Sequence, residues 1–311
     1  MSPVLIALAP VMLLIALGHQ MRSRHWVADS FWQPAEWATF HLFLPALLIT
    51  SLGRARLDGL PVATIFAIQA GLVLVMALAA ILAIRRLAGA PWFLQGPAFT
   101  SLFQCVIRPN TYVGLALGAG LWGAQGVAMM AICTAAVVPL VNLLSTLAML
   151  RWAGAGGKLR WRQAVLPVVT NPLILSCILG GALNLSGVQL PAVIASALDI
   201  LGGASLPLAL LSIGAGIRLS SLRRPAPSVW LAVGAKMMVM PLLALAVLKL
   251  VGLEGAALAA CGIYTALPAS PASYLTARQM GGDAPLVATM LSAQVMAGAL
   301  ILPLWLLILG G

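Results

Sequence analysis

Two short segments, Ile107-Arg108-Pro109-Asn110-Thr111-Tyr112 and Ala266-Leu267-Pro268-Ala269-Ser270-Pro271-Ala272-Ser273, interrupt apolar stretches that would otherwise cross a bilayer. The hydrocarbon interior offers no hydrogen-bond partners, so irregular backbone at that depth persists only when packed in protein or lining a cavity. The rest of the chain places the segments there: 62% of residues are hydrophobic and 7% charged, where soluble domains carry about 25% charge. That balance excludes a water-facing globular domain and predicts a polytopic helical membrane protein. A net charge of +11 does not point to nucleic acid, because the basic residues stand singly or in small groups between apolar runs.

About 20 apolar residues span a bilayer. On that measure the chain holds ten spans, at 2–18, 37–53, 61–84, 97–120, 124–149, 164–183, 190–217, 227–248, 254–277 and 284–309. The first has no basic residue ahead of it and no small-residue cleavage pattern, so a retained span is expected rather than a signal peptide. Loops after odd-numbered spans hold Arg22, Arg24, Arg85, Arg86, Arg151, Lys158, Arg160, Arg162, Arg218, Arg223, Arg224 and Arg278. Loops after even-numbered spans hold Arg54, Arg56 and Lys249. Positive charge is retained in the cytoplasm, which predicts a multi-pass membrane protein with both termini outside.

The halves echo one another. Span 4 carries Arg-Pro-Asn-Thr and span 9 Pro-Ala-Ser-Pro; Pro139 in span 5 has a counterpart in Pro303 of span 10, and Pro3 in Pro172. Five spans is an odd number, so the second half enters the membrane from the opposite side. The expected fold is therefore an all-α membrane protein of ten transmembrane helices in two inverted five-helix repeats, 1–150 and 164–311. A cytoplasmic basic linker, 151–163, joins them, and helices 4 and 9 are broken. Paired interrupted spans are the sequence mark of a secondary transporter's binding site.

Arg108 lies mid-span, where an arginine costs at least ~2.5–3.5 kcal/mol unless it faces protein or water. It either attracts an anionic substrate or bonds carbonyls freed by the break. Pro109 removes a helical donor, while Asn110 and Thr111 offer side-chain hydrogen bonds at a restarting helix whose N-terminus suits a carboxylate. Pro268 and Pro271 break span 9, with Ser270, Ser273 and Tyr274 as local donors. Lys236 stands near mid-depth of span 8, either as a fixed or titrating cation or as a lysine bonded to carbonyls of the broken helices. Gln69, Asn142 and Gln294 are expected to face the same interior, each as a substrate contact or as a helix–helix hydrogen bond. Asp199 allows a gate or salt bridge, with helix packing the plainer alternative; His41 reads as a helix–helix contact before a proton relay. Cys105, Cys133, Cys177 and Cys261 show no metal-ligand spacing, and no His-Glu-x-x-His, Gly-x-Ser-x-Gly, phosphate-loop or dinucleotide motif is present. Neither an enzyme, a metal nor a cofactor is expected.

From Phe103 to Gly114, around Arg108-Pro109-Asn110-Thr111, the sequence closely resembles the auxin efflux carrier family of bacterial organic-acid permeases and plant PIN auxin carriers. The resemblance continues through Gly123-Ala124-Gln125-Gly126, Val138 to Asn142, Thr170 to Leu173, Ala204 to Leu210, Lys236 with Pro241, and Pro268 to Tyr274. It implies a fold similar to the bile acid–sodium symporters. Spans 1, 2, 6 and 7 would form a scaffold; spans 3–5 and 8–10 would form a bundle that slides along it like an elevator, with spans 4 and 9 crossing at their breaks. Asn110 looks like the family's carboxylate-contacting asparagine, and Lys236 resembles a lysine of span 8. Unlike plant members, this chain has no long loop between spans 5 and 6, and it carries Gln69 but no acid in span 3, leaving proton and sodium coupling both open.

The expected function is a permease for a small organic anion such as a mono- or dicarboxylate; the alternative is a sodium-coupled symporter of the bile acid type. Expected partners are the anion and membrane lipid, with a second copy of the chain as a further candidate and no nucleic acid.

Overall fold

Long apolar runs with few charges leave the backbone no partner but itself, and helix is the result throughout. The computed structural model describes residues 3–55, 60–87, 96–153, 165–166 and 168–310. Arg56, Lys158, Arg160, Arg162 and most of the expected linker 151–163 lie outside the described residues. Among those described there is no strand, and the sole bridge of extended backbone pairs Pro109 with Ala269.

In chain order the helices are α1 (Pro3–Ser23), α2 (Asp29–Gly53), α3 (Val62–Leu87), α4 (Pro97–Ile107), α5 (Thr111–Trp152) and α6 (Pro172–Ser186). They continue as α7 (Ala192–Gly216), α8 (Pro227–Leu250), α9 (Gly255–Ala266), α10 (Ala272–Met280) and α11 (Ala284–Leu309). Seven of these described runs (α1, α2, α3, α5, α7, α8 and α11) are long and apolar enough to cross a membrane, whereas α4, α6 and α9 are shorter apolar helices.

Two departures from the expected spans, and the sharp turn that separates expected spans 4 and 5, have local causes. The run α2 begins at Asp29 rather than at 37, because Asp29, Gln33 and Glu36 lower its hydropathy without disfavouring helix. The expected span 164–183 is helical at residues 165–166 and 168–169 and breaks at Thr170 and Asn171; α6 follows at Pro172, where Asn171 Oδ1 caps it by accepting from the N–H groups of Leu173 (2.9 Å) and Ile174 (3.4 Å). Residues 111–152 form one helical run, but it reverses at Trp122 and Gly123, the latter at φ 58°. Positive φ favours glycine, and the flanking arms then pack so closely that a Cβ on Gly126 would sit 2.0 Å from the Gly118 carbonyl oxygen.

Packing sorts the helices into two groups. α1 lies along α7, and the second half of α2 packs on both α6 and α7. α3, α4, α5, α8, α9, α10 and α11 pack among themselves; α5 and α11 provide contacts back to the first group. The α1–α7 seam is set by glycine: a Cβ on Gly18 would lie 2.0 Å from the Leu211 carbonyl oxygen, and one on Gly214 would lie 1.8 Å from that of Ile15. Small residues drive close helix approach where lipid leaves no hydrophobic contrast. At the far end of this group Asn184 Nδ2 donates to the carbonyls of Leu52 (3.0 Å) and Ala55 (2.7 Å), closing the C-terminus of α2. Nearby Asp199 pairs with Arg54 at 2.9 Å in an exposed bridge. His41 Nδ1 makes a contact within its own helix, 3.0 Å from the Trp37 carbonyl oxygen.

Gly214→Ala should destabilise the protein by about 1–3 kcal/mol or more through backbone overlap. Gly181→Ala on α6, where a Cβ meets nothing within 4 Å, should be neutral or slightly stabilising; thermal unfolding of the purified proteins in detergent compares the two.

Candidate functional site

Proline dictates the first break. α4 ends at Ile107, Arg108 is extended (φ −92°, ψ 109°), Pro109 has no N–H to donate, and Asn110 is again extended before α5 starts. Asn110 Oδ1 caps that helix, accepting from the N–H groups of Tyr112 (3.1 Å) and Val113 (3.4 Å). The second break runs between α9 and α10 through Leu267, Pro268, Ala269, Ser270 and Pro271.

The breaks satisfy each other. The Asn110 N–H donates to Pro268 O at 2.8 Å, and the Ser270 N–H returns a bond to Arg108 O at 3.3 Å. Gln294 of α11 supplies the next partners: its Oε1 accepts from the Ala269 N–H at 2.7 Å, and its Nε2 donates to Cys105 O and Ala232 O, both at 3.1 Å. A single fully buried amide therefore joins α4, α8, α11 and the second break. Buried backbone polar groups without partners are rare in native proteins, and this is how these avoid it.

Arg108 is buried as well, but its guanidinium turns to side chains rather than freed carbonyls: Nη1 donates to Thr276 Oγ1 at 3.0 Å and Nη2 to Asn142 Oδ1. It braces α10 and the second arm of α5. Gln69 on α3 donates to the Cys261 carbonyl of α9 at 2.9 Å. Lys236, fully buried, lies in a π-helical turn of α8 (Ala235–Val239), and its one hydrogen bond among the described residues goes to Met240 Sδ at 3.4 Å. Ser270 Oγ accepts from the Ala272 N–H at 3.3 Å, while Ser273 Oγ is buried and has no hydrogen-bond partner among the described residues.

A cavity of about 270 Å³ reaches this crossing. Its floor is Asn110, Ala269 and Pro271, its walls are the start of α2, the end of α7, Tyr274 on α10 and one face of α11, and Arg22, Arg218 and Arg278 stand around it. Arg22 and Arg278 are exposed whereas Asn110 and Ala269 are buried, so the cavity deepens from a basic rim to the crossing. Asp29 is neutralised by Arg22 at 3.0 Å, leaving Glu36 as the other carboxylate on the lining. The Arg218 guanidinium lies 5.7 Å from the centre of the Tyr274 ring, within cation–π reach.

Of the residues expected at the site, Asn110, Pro271 and Tyr274 line the cavity. Arg108, Pro109, Thr111, Pro268, Ser270 and Ser273, together with Lys236, Gln69, Asn142 and Gln294, are absent from its lining and lie in or around the crossing. Sequence reasoning did not find Trp32, Gln33 and Glu36, which were assigned to a loop, or Ser212 and Ser292, which look like ordinary small residues in apolar helices. Trp32 and Glu36, one helical turn apart, were the available signal for the α2 contribution.

Helical bundles meeting at two mutually hydrogen-bonded breaks, beside a polar cavity, define the class: a multi-pass membrane transporter. Residues 3–306 match the family profile described as membrane transport protein, so the chain belongs to that family, the one that contains the auxin efflux carriers. It is also 23% identical over 308 residues to an uncharacterized transporter of Methanothermobacter thermautotrophicus, with 96% of each chain covered.

Gln294→Leu leaves a buried N–H and two carbonyls without these partners, and each such loss costs about 1–3 kcal/mol. A marked fall in the thermal midpoint is expected, whereas Gln279→Leu at an exposed position on α10 should leave it nearly unchanged.

Proposed function

We propose that this transporter carries a small organic anion, a mono- or dicarboxylate, across a bacterial inner membrane by elevator-type alternating access. The observation that carries this reading is Asn110. Its Oδ1 is committed to capping α5, while its Nδ2 is buried and has no hydrogen-bond partner among the described residues, at a residue that lines the cavity. An amide N–H at the floor beneath three arginines suits an oxygen-rich, negatively charged ligand.

The moving parts in this reading are the two packing groups. α1, α2, α6 and α7 serve as the scaffold, and the helices carrying the crossing move along it. The ten-span layout in two inverted repeats, 1–150 and 164–311, with the basic linker 151–163 in the cytoplasm, is retained as part of the proposal. The reciprocal bonds between 108–110 and 268–270 support it, since a two-fold relation produces that exchange. In this reading the open rim of the cavity faces the cytoplasm and both termini lie outside, an orientation that the positive charge of Arg22, Arg218 and Arg278 supports. Arg108, Thr111, Ser270, Ser273, Asn142, Gln69 and Gln294 shape and hold the crossing, while Asn110, Pro271 and Tyr274 meet the substrate.

Lys236 supplies a built-in cation behind the crossing, which favours transport without sodium over the symporter alternative. Ligand that binds the folded state alone stabilises it by about 2.7 kcal/mol at a hundredfold excess over Kd. Thermal unfolding of the purified protein against a panel of organic acids, with and without sodium, tests the reading. A carboxylate that raises the midpoint without sodium supports it, a shift that requires sodium supports the symporter, and no shift with any acid overturns the anion assignment. Lys236→Ala should abolish uptake of the stabilising acid into proteoliposomes; an unchanged rate removes Lys236 from the mechanism.

A further inference from the structure

Three residues that line one cavity each carry a buried side-chain polar atom with no hydrogen-bond partner among the described residues: Asn110 (Nδ2), Trp32 (Nε1) and Ser212 (Oγ). The first belongs to the crossing. The other two do not, since Trp32 opens the first turn of α2 and Ser212 stands in the last turn of α7, both in the group that excludes the crossing. Trp32 is 6% exposed and Ser212 5%, so water does not satisfy them readily. A buried donor left unpaired is costly, and native proteins carry few of them. Two on one side of a cavity and a third on its floor are a set.

The chemistry of the set is uneven. An indole N–H can only donate, the Asn110 amide nitrogen can only donate, and a serine hydroxyl donates or accepts. The neighbouring hydroxyl of Ser292 is already committed, accepting from the Arg218 N–H at 2.9 Å and donating to the Ala288 carbonyl at 2.8 Å. Donors therefore exceed free acceptors at the heart of the cavity. Glu36 is the exception, one turn beyond Trp32, and the three arginines outnumber it and the paired Asp29.

We propose that Trp32 and Ser212 are substrate-binding residues: the transported anion is held between them and Asn110, bridging the two packing groups in this conformation of the cavity. The inference rests on the organic-anion elevator reading and adds to it a sided affinity. In an elevator Asn110 travels with the substrate, whereas α2 and α7 stay in place. Trp32 and Ser212 contact the anion when the cavity faces the rim of Arg22, Arg218 and Arg278, and lose it when the crossing moves away. The anion is therefore bound more tightly from the arginine side than from the other.

The test uses Trp32→Phe, which keeps an aromatic ring and removes the N–H, and Ser212→Ala. Acetate, lactate, malonate and succinate are the probes. First, thermal unfolding is measured with each acid. Removing an unpaired donor should leave the ligand-free midpoint unchanged or raised, while the acid-induced shift shrinks; a structural role would instead lower the ligand-free midpoint and leave the shift intact. Second, the half-saturating concentration of the best-bound acid is measured for transport into vesicles of each orientation. About a tenfold rise is expected when the acid is presented on the arginine side, with little change on the other. An intact shift in both variants overturns the inference while leaving the anion reading in place. An equal rise on both sides overturns the sided affinity. Wild-type protein that none of the four acids stabilises removes the anion reading and this inference with it.

Discussion

Main-chain N–H and C=O groups cannot go unpaired where lipid replaces water, and the crossing of the two breaks is built around that constraint. Each break exposes groups that a continuous helix would have satisfied, and each is placed where the other supplies what it lacks: Asn110 to Pro268, Ser270 to Arg108. What remains unpaired after that exchange falls to Gln294, whose amide carries a donor and an acceptor on one short planar group. Only then does the cavity have a floor. The asparagine that reaches it is held in place by the same helix start that its side chain caps, so the geometry of the crossing and the polarity presented to a ligand are one arrangement.

The breaks were legible because proline and polar residues inside apolar runs leave few other readings, and the structure interrupts its helices at Arg108–Asn110 and Leu267–Pro271 accordingly. Arg108 was legible as a charge that must face protein, but not as the brace it is; its partners Thr276 and Asn142 lie 168 and 34 residues away, and nothing local announces them. The start of α2 was missed because hydropathy is a measure of lipid exposure, and this turn is helical while facing a polar cavity. Gln33 and Glu36 lowered the average that Trp32 and the following residues would otherwise have raised. The reversal at Gly123 lay between two expected spans, yet its sharpness depends on a backbone conformation that a composition pattern does not encode.

Rigidity is distributed unevenly between the two packing groups. α1 and α7 interlock through backbone contacts at Gly18 and Gly214, closer than any side chain permits. Around the crossing, by contrast, short helices α4, α9 and α10 are joined by hydrogen bonds from Gln294, Arg108 and Gln69. The difference is one of emphasis, since Asn184 and the Arg54–Asp199 pair also tie α2 to α6 and α7, and Gly118 and Gly126 bring the two arms of α5 into backbone contact.

Gln294 reads only main-chain atoms: the Ala269 N–H and the carbonyls of Cys105 and Ala232. The reciprocal bonds at the crossing are main-chain bonds too. The bonds themselves therefore do not depend on which side chains stand at 105, 232 and 269, positions that core packing restricts instead, whereas they require the amide at 294. Two breaks spelled as differently as Arg-Pro-Asn-Thr and Pro-Ala-Ser-Pro can thus share one junction, because the bonds that join them are written in the backbone and not in the letters.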